Sequence, residues 1–262
     1  MRNVNTHFHK VVVMSIVGVM LVPILATLIY SISSRWGATV LPESYTFDWY
    51  IKLFTEPRFL KAFGRSILIC IASLILSIVV ILPSIFVVFY YFPKMNKYMN
   101  MMILLPFAVP PVVSSVGLLQ LYAGSSIPIV GTPWILIGTY FTIALPFMYR
   151  AIANNFEAIN LHDLMDAAHL LGASSTRAFI SIVLPNLRKG LMVSLFLCFS
   201  FLFGEFVFAN ILVGTRYETL QIYLYNIRQT SGHFTSALVM TYFLFIFLLT
   251  WLAGRFSRGA QE

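Results

Sequence analysis

Long apolar runs, separated by short polar stretches, make up most of this chain. A bilayer core of about 30 Å needs roughly 20 apolar residues for one helical crossing, and several runs reach that length. The pattern predicts six membrane-spanning helices, over residues 11–33, 67–92, 98–122, 133–149, 191–213 and 234–254. We therefore expect an all-α integral membrane protein with a single transmembrane domain over residues 1–262.

The third and fourth predicted spans come from one long uncharged run. No Asp, Glu, Lys or Arg lies between Lys97 and Arg150. A single helix over that distance, at about 1.5 Å per residue, would be far too long for one crossing. Glycines and prolines within residues 124–133 divide the run, because these residues favour turns.

The composition agrees with contact to lipid. Hydrophobic residues make up 59% of the 262 positions and charged residues only 10%, against about 25% charged residues in soluble domains. The net charge of +8 comes from basic residues that flank the apolar runs. Loop topology and anionic lipid headgroups explain this charge, so membrane lipid and no nucleic acid is expected as a partner. Cys70 and Cys198 lie in apolar runs and are expected to be buried without a disulfide.

The distribution of basic residues sets the expected orientation, because cytoplasmic loops are enriched in Lys and Arg. The first run is longer than the apolar core of a signal peptide, about 7–15 residues, so we expect it to be retained as a span. With the N-terminus inside, ten of the 17 basic residues lie on the inner side and seven on the outer side. Both termini and segment 154–190 are then expected in the cytoplasm.

The first outer segment, residues 35–65, interleaves aromatic and charged residues, as in Tyr45-Thr46-Phe47-Asp48-Trp49-Tyr50 and Phe54-Thr55-Glu56-Pro57-Arg58-Phe59. This pattern suits a short helix that lies in the membrane interface. Two roles remain open for it, an anchor at the lipid headgroups and a contact surface for an external partner.

Segment 154–190 is polar and broken by glycine. Its first half, residues 157–171, has apolar side chains at helical spacing, namely Ala158, Leu161, Leu164, Met165, Ala168 and Leu171. Gly172 can end that helix in a left-handed conformation. Ser174 and Ser175 can cap a second helix that runs to about Leu184, before Pro185. We expect a compact helical hairpin that projects from the bilayer and docks on a partner; the alternative is an ordinary cytoplasmic linker.

A set of residues in this segment stands at a characteristic spacing: Asp166, Ala167, Ala168, Gly172, Ala173, Ile182, Leu184 and Pro185. They resemble the EAA loop of the permease subunits of binding-protein-dependent bacterial ABC importers. The resemblance implies the type I ABC importer permease fold and a loop that inserts into a groove of a cytoplasmic ATPase. One position departs from the family pattern. The family usually has Glu at this position, whereas this chain has Asp166, whose side chain is shorter by one methylene. An ion pair between that carboxylate and the ATPase would therefore be displaced.

The same resemblance implies the rest of the assembly. It implies a second permease subunit that is similar but different, two ATPase subunits and an external solute-binding protein, at a bacterial inner membrane. ATP and Mg would be bound by the ATPase, and this chain would need no cofactor of its own. The sequence has no GxxxxGK[ST] stretch, the motif with which a P-loop cradles ATP phosphates. The chain is therefore expected to be a transport subunit and not an enzyme.

The resemblance extends over residues 45–254. The stretch Leu105-Pro106-x3-Pro110-Pro111 and the region 199–214 are also similar to these permeases. Within the family, the chain looks most similar to the polyamine (spermidine/putrescine) permeases. Importers of 2-aminoethylphosphonate, ferric iron, sulfate or thiamine are the alternatives.

The translocation pathway has several candidate residues. Glu205 is the only acidic residue within a predicted span, and a charge at the membrane centre costs about 2.5–3.5 kcal/mol. It could attract a cationic substrate, pair with a neighbouring subunit, or lie near the outer interface. Prolines in span three remove backbone donors and predict a kink. Two roles remain open for this kink, to line the pathway or to allow helix packing. The candidates of this span are Pro110, Pro111, Ser114, Gln120 and Tyr122.

Other kinds of site are not expected. His162 and His169 flank Asp163 and Asp166, but two helical turns separate the histidines by about 10 Å, too far for one metal ion. No Ser-His-Asp or Cys-His grouping has the context of a catalytic site. The competing class is a six-helix secondary transporter or channel. It would need intramembrane ionisable groups for ion coupling, and only Glu205 qualifies.

Overall fold

A computed structural model describes residues 6–37, 39–124 and 126–258. These residues are mostly helical, with one small two-stranded hairpin. They form two compact units by their contacts. The first unit contains the residues up to 60 together with 223–245, and the second contains 61–222 together with the residues from 246 onward.

The first unit begins with a long apolar helix and a short hairpin. Its elements are α1 (Thr6–Ser31), β1 (Ser33–Arg35), β2 (Ser44–Tyr45) and α2 (Asp48–Thr55). The two strands are antiparallel, with Ser33 opposite Tyr45. The Trp49 indole N–H donates to the Ser33 carbonyl over 2.9 Å. This bond fixes α2 beside the hairpin.

The remaining helices complete both units. They are α3 (Pro57–Tyr91), α4 (Asn96–Met102), α5 (Leu105–Ala108), α6 (Pro111–Ala123), α7 (Pro133–Ala158), α8 (Leu161–Leu170), α9 (Ser175–Ala178), α10 (Leu184–Phe203), α11 (Val207–Leu212), α12 (Leu220–Ile227) and α13 (Gly232–Arg258). Short helical turns of other types lie at Pro93–Met95, Phe179–Val183 and Gly214–Tyr217. Prolines stand at the start of α3, α6 and α7, where the missing N–H would have no partner in any case.

Four of the described helices are each long and apolar enough to cross a bilayer: Phe8–Ser31, Pro57–Tyr91, Pro133–Ala158 and Gly232–Arg255. Two bent pairs complete the six predicted spans if each pair counts as one. These are Pro93–Ala108 with Pro111–Ala123, bent by 87°, and Ser175–Arg188 with Gly190–Phe203, bent by 62°. Two of these helices extend beyond their predicted spans. Helix α3 begins ten residues before residue 67, and α7 runs nine residues past residue 149.

The sharp bend in the third span has a local cause. Val109 precedes Pro110 and is extended, with φ −101° and ψ 126°. Pro110 in turn precedes Pro111 and is also extended, with φ −55° and ψ 139°. The proline ring disfavours the helical region for the residue before it. Two consecutive prolines therefore favour two consecutive non-helical residues, and the kink predicted in the span over 98–122 is a break between α5 and α6.

The fifth span differs from its predicted bounds of 191–213. The helix α10 begins earlier, at Leu184, and ends at Phe203. Gly204, Glu205 and Phe206 interrupt the chain before α11 begins at Val207. The predicted span carries no charge apart from Glu205, so hydropathy showed no sign of this break.

The second unit has its densest packing around α7. Leu136, Ala144, Met148 and Ile152 on this helix are fully buried. On α10, Gly190 faces the Asn155 side chain so closely that any Cβ would overlap it. Cys70 and Cys198 are buried and free, as predicted. Many apolar side chains elsewhere remain exposed, such as Met14 on α1 at 70% and Leu68 on α3 at 65%, as expected for surfaces that face lipid.

Candidate functional site

The polar segment forms a helical hairpin whose turn is built by Gly172. Helix α8 buries Leu161, Met165 and Ala168, the apolar positions of a helical repeat. Gly172 follows with a φ of +80°. Its N–H donates to the His169 carbonyl over 2.9 Å, and the Ala173 N–H donates to the Ala168 carbonyl over 3.0 Å. These two bonds form a Schellman motif, which confirms the predicted left-handed end of the helix.

The second arm begins with the predicted serine cap. The Ser174 hydroxyl accepts the Arg177 N–H over 3.4 Å and starts α9. The Ser175 hydroxyl lies 3.1 Å from the His169 Nε2 atom, so it joins the two arms across the turn. Both serines act at the start of α9, and the hairpin is held on both sides of Gly172.

The predicted end of this second helix before Pro185 is wrong. The chain continues through Phe179–Val183 as a π-helical turn into α10, and the Leu184 N–H bonds to the Phe179 carbonyl. Pro185 stands in the first turn of α10, directly after the π turn, so its missing N–H falls where the helix changes its hydrogen-bonding pattern. The wider π turn therefore lets the helix continue past Pro185 without ending.

The predicted start of the hairpin is also shifted. Residue Ile159 is extended, with φ −105° and ψ 141°, and Asn160 precedes α8. Ala158 thus ends α7 and does not belong to the hairpin helix. The break lets α8 leave the direction of the membrane helix.

The hairpin rests on aromatic side chains near the end of α3. The rings of Phe86 and Phe179 have centroids 4.4 Å apart, and Phe86 is buried. The Tyr90 ring lies 5.4 Å from the His162 ring and 6.4 Å from the His169 ring. Both arms of the hairpin therefore contact α3, so a force on the hairpin would reach a membrane-spanning helix through packed side chains.

The residues predicted to couple to a partner lie at different depths. Asp166, Ala167, Gly172 and Pro185 are exposed, Ala173, Ile182 and Leu184 are half-buried, and Ala168 is buried. Ala168 thus supports the fold of the hairpin, and the exposed members are the ones that a partner could touch.

The most exposed apolar residues of the hairpin were missed as site residues. Leu170 is 90% exposed and Leu171 is 87% exposed, side by side before Gly172. Leu171 was expected on the apolar face of the helix, but it lies beyond the last helical residue, Leu170. The position of Gly172 was the available signal, because a residue directly before a left-handed glycine has left the helical repeat.

A cavity of about 650 Å³ opens between α6, α7 and α11. Of the predicted pathway residues, Ser114 and Tyr122 line it. Pro110, Pro111, Gln120 and Glu205 are not among its lining residues, although the two prolines create the bend that precedes α6. The lining that sequence reasoning missed comes mainly from α7, with Trp134, Thr139 and Thr142. No Asp, Glu, Lys, Arg or His from the described part of the chain lines the cavity.

The Glu205 side chain accepts hydrogen bonds from nearby backbone N–H groups at the break of the predicted fifth span. Its two carboxylate oxygens accept the N–H groups of Phe208 over 2.8 Å and Ala209 over 3.1 Å. The carboxylate thus satisfies two of the free N–H groups at the start of α11. This bonding was not among the three predicted roles, because nothing in the local sequence predicts a helix start at residue 207.

A family model described as the inner membrane component of binding-protein-dependent transport systems matches residues 81–262. PhnV of Salmonella typhimurium (strain LT2), named as a 2-aminoethylphosphonate transport system permease protein, is 22% identical over 205 residues, which are 78% of this chain and 76% of PhnV. The Haemophilus influenzae molybdenum transport system permease protein ModB is 29% identical over 194 residues, 66% of this chain and 81% of ModB. The Synechocystis sulfate transport system permease protein CysW is 30% identical over 153 residues, 52% of this chain and 55% of CysW.

The fold agrees with solved importer structures. A bacterial ABC transporter involved in the import of the acidic polysaccharide alginate has a chain that superposes with a TM-score of 0.75 at 13% identity, covering 97% of this chain and 98% of that chain. A chain of a bacterial alginate ABC transporter, in complex with an alginate pentasaccharide-bound periplasmic protein, superposes with a TM-score of 0.74 at 14% identity. The match covers 98% of this chain and 96% of that chain. At this identity the likeness concerns the fold, which is the type I fold predicted from the resemblance.

These comparisons decide between the predicted alternatives. The three relatives are named for phosphonate, molybdenum and sulfate transport, so the expected similarity to polyamine permeases is not supported. A secondary transporter or channel is excluded by the family match. The chain belongs to the family of binding-protein-dependent transport system inner membrane components, and is a multi-pass permease subunit of an ABC importer with the type I fold.

Proposed function

We propose that this permease imports a small solute with a tetrahedral oxyanion group, of the phosphonate, sulfate or molybdate class. The names of the relatives support this class. The bonding of Glu205 also weakens the case for a polyamine, because the carboxylate that would attract a cation is engaged by the start of α11. The described lining of the cavity has no charged side chain of either sign, so the choice of an oxyanion rests on the names of the relatives.

The assembly proposed around this chain has three further kinds of component. A similar but different permease subunit completes the pathway, and an external solute-binding protein delivers the substrate. Two copies of a cytoplasmic ATPase bind ATP and Mg. Both termini of this chain lie on the ATPase side of the membrane, as does the hairpin.

The hairpin around Gly172 is the proposed contact with the ATPase. The observation that carries this proposal is the pair Leu170 and Leu171, nearly fully exposed at the tip of a polar hairpin. Burying an exposed leucine side chain in an interface is favourable by about 1.5–3 kcal/mol. The Schellman bonds and the serine cap hold the tip in one conformation, so little ordering entropy is lost on docking.

Coupling follows from the contacts at the base of the hairpin. When ATP closes the ATPase dimer, the two hairpins of the permease pair move together. Phe179, His162 and His169 pass this movement to Phe86 and Tyr90 on α3. The spanning helices then rock from inward-open to outward-open, and the substrate enters from the binding protein.

Co-purification tests the hairpin contact. Leu170→Ser with Leu171→Ser should reduce the ATPase recovered with the tagged permease about tenfold or more, because two apolar anchors are lost. Leu41→Ser is the matched control, since Leu41 is 72% exposed in the loop that is predicted to be external. Undiminished ATPase recovery with the double variant would remove the leucine tip from the interface.

Uptake assays test the substrate class. Cells with and without this chain are compared for uptake of labelled sulfate, molybdate, 2-aminoethylphosphonate and spermidine. Loss of uptake of one of the three oxyanions, with spermidine uptake unchanged, is the expected result. Loss of spermidine uptake alone would overturn the oxyanion proposal and leave the importer assignment intact.

A further inference from the structure

The first unit contains a pocket that the transport mechanism does not use. It has a volume of about 420 Å³ and is lined by Trp49, Lys52, Thr55, Glu56, Ser231 and Phe234. Four of these residues come from α2 and the residue after it. The other two come from the residue before α13 and the first turn of α13. The lining combines one cation, one anion, two hydroxyl groups and two aromatic rings.

The neighbours of the pocket are those expected at the membrane interface. Ser231 and Phe234 stand where the apolar helix α13 begins. The His233 Nδ1 atom lies 2.9 Å from the Tyr30 carbonyl near the end of α1, so the ends of these two spanning helices are at the same depth. The His233 ring stacks on Tyr30 at 4.0 Å and faces Trp49 at 5.8 Å. Trp and Tyr are enriched at this level of membrane proteins.

Helix α2 and the residue before it have the three faces of a helix that is packed on protein and embedded in a lipid surface. Leu53 is fully buried against the protein. Phe47, Ile51 and Phe54 form an apolar stripe that is 69%, 62% and 53% exposed. Asp48, Lys52 and Thr55 form an exposed polar stripe beside it. An apolar stripe adjoining a basic residue suits the boundary between acyl chains and phosphate groups.

The two charged groups of the pocket do not neutralise each other. Lys52 and Glu56 are one helical turn apart, but no ion pair joins them in the described structure. Lys four residues before Glu is the less favourable order for pairing along a helix. The Lys52 Nζ atom lies 5.5 Å from the Trp49 ring centre. One carboxylate oxygen of Glu56, Oε2, accepts the Tyr223 hydroxyl over 2.8 Å, which fixes the carboxylate and leaves the other oxygen for a ligand.

This arrangement matches a zwitterion with a phosphate and a primary amine. Lys52 would bind the phosphate as a point charge, and the Glu56 carboxylate would accept N–H bonds from the ammonium group. Side chains one helical turn apart have Cβ atoms about 5–6 Å from each other, a separation that a two-carbon linker between the ligand charges can span. A quaternary ammonium has no N–H to donate, so choline would gain less from Glu56.

We propose that this pocket binds an ethanolamine phosphate group, supplied by phosphatidylethanolamine of the surrounding bilayer or by free phosphoethanolamine. The exposed apolar stripe of α2 is covered by the acyl chains of the same lipid layer. The bound headgroup fixes α2 against the start of α13, at the end of the protein that is predicted to face the solute-binding protein.

Native mass spectrometry of the purified permease complex tests this site. The complex is incubated with phosphatidylethanolamine and phosphatidylcholine at equal concentration. The expected result is preferential retention of phosphatidylethanolamine. Lys52→Gln should lower that retention about tenfold, the effect of one lost charge-assisted hydrogen bond. Glu56→Gln should remove the preference over phosphatidylcholine, because the amide keeps an oxygen for Tyr223 but loses the charge.

Two controls and one competitor complete the experiment. Asp48→Asn changes an exposed acid on the same helix, and Lys61→Gln changes an exposed base outside the pocket; neither should alter lipid retention. Free phosphoethanolamine is then added at the lipid concentration. Displacement of the lipid indicates a soluble ligand, and no displacement indicates a lipid site.

The proposal is overturned if both lipids are retained equally and Lys52→Gln has no effect. If Glu56→Gln destabilises the protein, Lys52→Gln alone decides, since the Lys52 side chain is exposed and its loss leaves the core intact.

Discussion

The second unit interrupts its helices in two settings, the polar hairpin at Gly172 and the predicted membrane spans at Pro110 and Glu205. In the hairpin, one glycine permits the turn, and water can solvate whatever the Schellman bonds and the Ser174 cap leave free. In the spans, backbone groups freed at membrane depth must be paired within the protein. The break at Glu205 therefore carries a charged cap with two hydrogen bonds. The turn at Gly172 is permitted by one residue without a side chain, whereas the break at Glu205 has a dedicated charged partner.

Removal of the cap in the membrane is expected to have the largest effect on stability. Glu205→Leu would leave two N–H groups unpaired, at a cost of roughly 1–3 kcal/mol each. The melting temperature of this variant in detergent should fall further than that of any variant at Gly172, Pro110 or Ser174. Glu205→Gln keeps an acceptor oxygen, so its melting temperature should fall less.

Glu157→Gln is the control for this change, because Glu157 is an exposed acid on α7. Melting of Glu205→Leu at the wild-type temperature would mean that the cap contributes nothing, and the contrast between the two settings would disappear.

Gly172→Val is expected to act on transport more than on stability. A left-handed conformation costs a residue with a side chain roughly 1–2 kcal/mol, and the Gly172 φ of +80° would have to change. The tip with Leu170 and Leu171 would then be displaced. Correctly inserted protein should lose substrate uptake while the ATPase still hydrolyses ATP.

Gly124→Val provides the comparison, since Gly124 has a negative φ and open space around its Cβ position. Uptake at the native rate by the Gly172 variant would argue that the turn has no role in coupling.

The proline bend offers a third test. Replacing both Pro110 and Pro111 with alanine should let α5 and α6 join, whereas Pro110→Ala alone should keep most of the bend because Pro111 still disfavours a helical conformation at residue 110. Spin labels at the exposed positions Tyr98 and Leu121 measure the outcome as a distance. In a straight helix these positions would be about 35 Å apart.

A clearly longer distance in the double variant than in the wild type is expected. The same distance in all three proteins would show that packing, and not the proline pair, sets the angle of 87°.

The smallest expected effect is that of the cap in the hairpin. Ser174→Ala should cost about 1 kcal/mol, the usual contribution of an N-cap hydroxyl, because water can replace the lost bond. Ser181→Ala, an exposed serine of the same segment, serves as reference. If Ser174→Ala lowers the stability as much as Glu205→Leu does, the proposed difference between a cap in water and a cap in the membrane is contradicted.

The two settings also differ in how far the sequence predicted them. Gly172 and Ser174 act on residues within four positions, so local rules located the turn and the cap. Glu205 also bonds locally, but its role depends on a helix start at Val207 that an apolar run does not reveal. The path through Pro185 required a π turn, and the cavity wall on α7 required the packing of that helix on α6. These features depend on tertiary structure, which single-sequence periodicity does not contain.

The bend at Pro110 has a mechanical consequence for the cavity. Helix α6 carries Ser114, Gly117 and Tyr122 on the cavity wall and is attached at one end to a joint of two extended residues. As a rigid arm of 13 residues, it reaches about 20 Å from that joint, so a rotation of about 10° would move its far end by about 3.5 Å. That displacement exceeds the width of a water molecule, about 2.8 Å. A small angular change at the proline pair would therefore be amplified into the opening or closing of a passage.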